Sequence, residues 1–158
     1  MTERDGTIEE HIRVWKRAGH VWWGWWYRQS ERVPRGTFAE LFPGGEGEVP
    51  IVLFDAGQLK LYRTTATRVR VAPSELGLQA PDFDATPDYY LRGRYPAWFC
   101  LSEIDPLESR TLPVIDRPTL VDGTNQKPRS DRAVEEVPLE ALRDDRPTLW
   151  VAQFEWNS

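Results

Sequence analysis

The sequence predicts an α+β fold: a small, mostly antiparallel β-barrel or curved sheet with two to three short helices packed on it. Three observations lead there. Five to seven apolar runs of strand length recur without the strand–helix–strand rhythm of a parallel sheet. Aromatic residues make up 12% of the 158 residues and hydrophobic residues 40%, enough for one globular core. Proline, aspartate and glycine cluster between the runs, as turn formers do. The whole chain, 1–158, is expected to form a single domain.

Each element has its own signal. Thr7-Ile8-Glu9-Glu10 reads as a capping box, with Ile8, Ile12 and Trp15 at helical spacing and Gly19 as the stop, so a helix spans about 8–18. Residues 20–28 are dense in Trp, Tyr and Val and read as a strand. Thr37–Glu40 repeats the capping pattern ahead of a short helix stopped by Pro43-Gly44-Gly45. Ile51–Phe54 and Gln58–Tyr62 flank a turn at Asp55-Ala56-Gly57 and read as a hairpin. Thr67–Val71 alternates valine with Arg68 and Arg70. Residues 73–88 are a loop with one helical turn at Ser74–Leu76, strand character resumes at Tyr89-Tyr90 and over Ala97–Ile104, and 105–136 is a long loop or a short hairpin about Asp122-Gly123. A helix at Pro138–Arg143 and a closing strand at Thr148–Trp156 complete the order.

Composition narrows the function. The net charge is −5, divided as +2 over residues 1–72 and −7 over 73–158. An acidic chain is poorly suited to broad phosphate-backbone binding, though a small basic footprint remains open to it. Seventeen of the twenty cations are arginine, the side chain that grips phosphate or stacks on rings. Neither a paired-cysteine nor a paired-histidine metal motif occurs, and no nucleophile elbow or phosphate-cradling glycine loop is present. No catalytic group, metal or cofactor is therefore expected; a nuclease or nucleotide hydrolase with carboxylates gathered in space is the enzymatic alternative. No apolar run has bilayer length and no leader opens the chain, which together with the single Cys100 leads us to expect a cytoplasmic protein with no membrane partner.

The informative stretch is His20-Val21-Trp22-Trp23-Gly24-Trp25-Trp26-Tyr27, which holds half of the eight tryptophans. In a strand, Val21, Trp23, Trp25 and Tyr27 share one face, the natural core face. His20, Trp22, Gly24 and Trp26 share the other, where two tryptophans flank a missing side chain. Two readings stand. The strand is buried on both faces with Gly24 at a bulge, or Trp22 and Trp26 wall a slot for a flat base or methylated group. An exposed Trp22–Trp26 patch for a protein partner is a further alternative. Tyr90, Trp98 and Arg94 form a second aromatic–arginine group. Arg68 and Arg70 share a strand face suited to phosphate, or to surface ion pairs. Asp55 is a base-edge reader or a plain turn residue, and His20 is the group poised to titrate near neutral pH.

The order of a helix, then Gly19–Trp25, then Ala97-Trp98-Phe99-Cys100-Leu101, then Leu149-Trp150-Val151, resembles the PUA-like superfamily, the small β-barrels that include the EVE, YTH and ASCH domains. The resemblance is one of layout and aromatic content over most of the chain. It implies a pseudobarrel that binds a modified base or nucleotide in an aromatic pocket, with Trp22, Trp26 and Trp98 as wall residues. It also implies service as a sensor or specificity module in a bacterial defence or restriction system, beside an effector protein or fused effector domain. The acidity of this chain departs from an extended nucleic-acid reader and favours a free nucleotide or a single flipped base.

Overall fold

The computed structural model describes residues 7–25, 33, 35–55, 57–116, 135–144 and 151–152. Helix α1 (Thr7–Ala18) carries Glu9 and Glu10 in its first turn and Lys16 and Arg17 in its last, matching the helix dipole at both ends. Gly19, at φ 85°, closes it by donating its N–H to the Trp15 carbonyl at 2.7 Å. The inward stripe is Ile8, His11 and Val14, with Ile12 and Trp15 half-buried beside it. A buried histidine at the centre of that stripe is not what the apolar spacing alone predicts.

Strand β1 (Val21–Trp25) follows at once, and β2 (Glu46–Asp55), β3 (Lys60–Val71) and β4 (Ala97–Leu107) join it in one antiparallel sheet of order β1-β4-β3-β2. The expected hairpin is present with longer arms, and β2, an edge strand in this order, tolerates Pro50. Helix α2 (Arg35–Leu41) starts two residues before the predicted cap and buries Thr37 inside it. Packing overrides the capping signal here, because Phe38 sets edge-on against Trp25 and Phe99 at 6.2 and 5.4 Å.

The sheet keeps its faces in register through two bulges. Thr67 is an extra residue on β3 between the pairs Ala66–Leu101 and Arg68–Cys100, and Glu103, at φ 58°, is an extra residue on β4 between Thr65–Ser102 and Arg63–Asp105. Without the first, Val69 and Val71 would leave the face of Ala66. Without the second, Ile104 would leave the face of Leu101. With both, one face gathers Val21, Trp25, Leu53, Tyr62, Ala66, Val69, Phe99, Leu101 and Ile104 into the main core, joined by Ile8, Val14, Phe38 and Phe42 from the helical segments.

The opposite face is covered at both ends. At one end the connection 72–96 folds back as a strap, with single turns of tight helix at Phe83–Ala85 and Asp88–Tyr90, and sets Leu78, Ala80, Ala85, Tyr90 and Tyr95 against Trp22, Trp98 and Cys100. Tyr90 thus sits in a turn rather than a strand, at the end of the turn Asp88–Tyr90 that Pro87 precedes. Ser74–Leu76 forms a bend and turn, not a helical turn. At the other end Val137 and Leu139 pack on Leu61 with Val52, Phe54 and Leu107. They belong to β6 (Glu135–Pro138) and α3 (Leu139–Asp144); β6 joins β5 (Thr111–Asp116) and β7 (Val151–Ala152) in a second antiparallel sheet of order β6-β5-β7. Of the two readings for 105–136, a long loop or a hairpin about Asp122-Gly123, the antiparallel pairing of β5 with β6 agrees with the second. The predicted turn at Asp122-Gly123 and most of the predicted closing strand lie outside the described residues. So do Trp26 and Tyr27.

Among the described residues the first sheet is open, since β1 and β2 stand at its two edges. The chain is an α+β protein with three α-helices among those residues, and none of them is long and apolar enough to cross a membrane.

Candidate functional site

Cross-strand register places half of the sequence-predicted site residues on one face. Trp22 pairs with Cys100, which pairs with Arg68; Gly24 pairs with Trp98, which pairs with Arg70. Directly opposed residues share a face, so Trp22, Gly24, Trp98, Arg68 and Arg70 stand together in two rows, with the strap packed on Trp22 and Trp98. Tyr90 joins them from above, with its ring edge-on to Trp98 at 5.5 Å, to Tyr95 at 5.1 Å and to His11 at 5.5 Å.

The face is packed. Trp22 is 2% exposed and Trp98 0%. β1 pairs with β4 without a break from Val21 to Trp25, so no bulge occurs at Gly24. The glycine instead admits Tyr95: a Cβ at residue 24 would stand 3.1 Å from the Tyr95 ring and 3.2 Å from Trp98. The gap that sequence reading left for a ligand is filled by this chain's own tyrosine. An exposed tryptophan patch at Trp22 is likewise corrected by its burial; its partner Trp26 lies outside the described residues.

Two polar features of this face are incompletely satisfied. The Trp22 indole N–H is buried with no acceptor among the described residues, whereas Trp98 donates its own to the Leu78 carbonyl at 2.9 Å. Arg68 lies over the Trp22 ring with its guanidinium carbon 5.1 Å from the centroid, a cation–π contact. Its one side-chain hydrogen bond goes to the Cys100 sulfur at 3.5 Å, a weak acceptor, and no carboxylate of the described residues stands within ion-pair distance. A buried orphan donor costs about 1–3 kcal/mol, so its retention calls for a reason.

The remaining candidates have other surroundings. Arg70 donates to the Gly45 and Val69 carbonyls and braces the turn Pro43–Gly45. Arg94 donates Nε to the Leu76 carbonyl at 3.0 Å and Nη2 to the Gly77 carbonyl at 3.1 Å, tying the strap together. His20 faces Asp82 of the strap, Nε2 to Oδ2 at 3.8 Å, a partner 62 residues away that sequence reading did not supply. Asp55 lies apart, at the hairpin end of the sheet, roughly 25–35 Å along β3 from the Arg68 and Arg70 rows. Its Oδ1 accepts from the Gly57 and Gln58 N–H groups at 3.0 and 3.1 Å, the work of a turn residue. Burial raises the Tyr95 hydroxyl above its ordinary 10.0. Tyr62 is raised too, by burial first and then by Glu9 and Asp55.

Among the described residues no three histidine, cysteine, aspartate or glutamate side chains gather to hold a metal ion. What the face holds is packed ring surface, an unmet N–H donor, and an arginine whose cross-strand neighbour Glu46 lies beyond ion-pair distance.

The fold agrees with the sequence comparison. The profile of the Pua-like family matches residues 1–130, from α1 through the whole first sheet and β5, and the chain belongs to that family. No curated protein and no solved structure matches it.

Proposed function

We propose that the chain is a non-catalytic recognition module that takes a nucleobase or nucleotide against the Trp22–Trp98 face. The observation that carries this reading is the unmet Trp22 N–H beneath an Arg68 that meets only a ring and a thiol. A base carbonyl or a phosphate oxygen is the acceptor both donors lack. Stacking on such rings contributes about 1–3 kcal/mol per base. Membership of the Pua-like family supports nucleic acid as the source of the base.

In this reading Trp22, Gly24, Tyr90, Trp98 and Trp26 form the aromatic wall, His20 stands at its rim, and Arg68, Arg70 and Arg94 supply positive charge. Entry is by displacement of the Tyr95 ring from the space at Gly24. The finer form of the proposal is that the base is modified and that the module acts in the cytoplasm as the sensor or specificity part of a bacterial defence or restriction system, with an effector protein or fused effector domain. Its support is the family resemblance. The same reading takes residues 1–158 as one domain and its two sheets as parts of a pseudobarrel.

The test is calorimetric titration of the chain with nucleosides, nucleotides and short modified oligonucleotides. One class should bind saturably, about ten-fold or more weaker in Arg68→Ala and in Trp22→Phe, which keeps a ring and removes the N–H. Binding unchanged in both variants, or no binding by any member of the panel to a natively folded chain, overturns the proposal.

A further inference from the structure

A second feature lies beside the aromatic face and shares Arg94 with the site proposed there. A cleft of about 130 Å³ opens between the start of α2 and the strap, lined by Arg35, Ser74, Glu75, Gly77, Arg94 and Pro96 among others. That is room for several water molecules. The two arginines stand in different states. Arg94 is held in place by the Leu76 and Gly77 carbonyls, which use two of its five N–H donors and leave three. Arg35 is exposed and makes no side-chain hydrogen bond or ion pair among the described residues. Glu75 shares the lining but lies beyond ion-pair distance of both.

Two arginines line one small cleft, and an anion there would meet positive charge from both walls. One is already fixed, so little ordering remains to be done on its side. We infer that this cleft binds a phosphate group, gripped by Arg94 from the strap and by Arg35 from α2. A phosphate oxyanion fits better than a carboxylate, because the donors come from two separate walls and exceed what two oxygens accept. Glu75 works against binding and limits affinity. The cleft flanks Tyr95 through its neighbours Arg94 and Pro96, and Pro96 accepts from the Ala72 N–H at 2.8 Å. The phosphate therefore sits at the end of the sheet where the Arg68 and Arg70 rows also lie.

Inorganic phosphate tests this without any base present, so its outcome is separate from that of the aromatic face. Isothermal titration of the full chain at low ionic strength should show saturable binding. Arg35→Ala should weaken it about ten-fold, as the loss of charge-assisted hydrogen bonds predicts. Glu75→Gln should tighten it about three-fold, as removal of one nearby negative charge predicts. Arg63→Ala removes a cation paired with Asp105 at 3.9 Å elsewhere on the sheet and should leave it unchanged. A nucleoside 5′-monophosphate binding more tightly than inorganic phosphate, with its nucleoside binding less, identifies a nucleotide as the source. Equal affinities identify free phosphate. No binding of either anion, or equal losses in Arg35→Ala and Arg63→Ala, overturns the inference. Arg35 makes no side-chain hydrogen bond or ion pair among the described residues, so its variant tests the cleft without loosening the strap.

Discussion

Tyr95 shows how much one side chain can decide. Its ring lies between the backbones of Gly24 on β1 and Gly93 on the strap. A Cβ at residue 93 would stand 2.6 Å from the ring and 2.8 Å from the hydroxyl oxygen, closer than side-chain carbons come to neighbours. Gly93→Ala must push the ring out of place and should cost about 1–3 kcal/mol in chemical denaturation. Gly24→Ala meets the ring at 3.1 Å and needs a smaller shift, so it should cost less than its counterpart. The reverse order would mean that the ring is held mainly from the strap side. The hydroxyl gives a second handle. Because the folded state disfavours its ionised form, stability is fully present below the ordinary 10.0 and falls as pH rises toward the raised value. Tyr95→Phe should lose part of that alkaline decline, read as unfolding midpoints across an alkaline series; Tyr62, raised likewise, contributes to what remains.

Strand β4 carries the argument at the scale of elements. It is central, it supplies Trp98 and Cys100 to one face, and it supplies Phe99, Leu101 and Ile104 to the other. The extra residue Glu103 makes that division work across its length. Deleting Glu103 should turn Ile104 out of the core and forfeit about 2–3 kcal/mol of burial, besides exposing the reversed remainder of the strand. Circular dichroism and a denaturation curve with a midpoint like the parent's would refute this. The alternation of β1 was legible in sequence because period-two patterning is local: Val21 and Trp25 went to one face, Trp22 and Gly24 to the other. Thr67–Val71 was legible for the same reason. The bulges were not, since neither Thr67 nor Glu103 is a glycine and nothing near them marks an extra residue. Nor was the filling of the Gly24 gap, because Tyr95 lies 71 positions away in sequence and only the fold brings them together.

Charge is the property of the whole molecule that bears on function. The net charge is −5, yet Arg68, Arg70 and Arg94, and Arg35 across the cleft from Arg94, gather at one end of the sheet. A ligand reaching that end meets a few cations on an otherwise acidic body. Oligonucleotide binding should therefore depend only shallowly on salt. A plot of log affinity against log salt should have a slope of about −1 to −3, in place of the near −10 of a broad phosphate reader. A steeper slope would require cations beyond these four. The sequence carried the charge division and the arginine excess openly. It did not carry the pairing of His20 with Asp82, or the cleft that joins Arg35 to Arg94, because both form between segments remote along the chain.

The clasp of Gly24 and Gly93 on one ring has a kinetic corollary. An edge strand ordinarily frays by itself, releasing its amides to exchange with solvent at its own low cost. Here β1 cannot separate from β4 at Gly24 without disturbing the ring that the strap holds, and the strap cannot lift without uncovering β1. The amides of Leu78 and Tyr95, which bond to each other's carbonyls, should therefore exchange hydrogen for deuterium at a common rate with those of β1, as one cooperative unit.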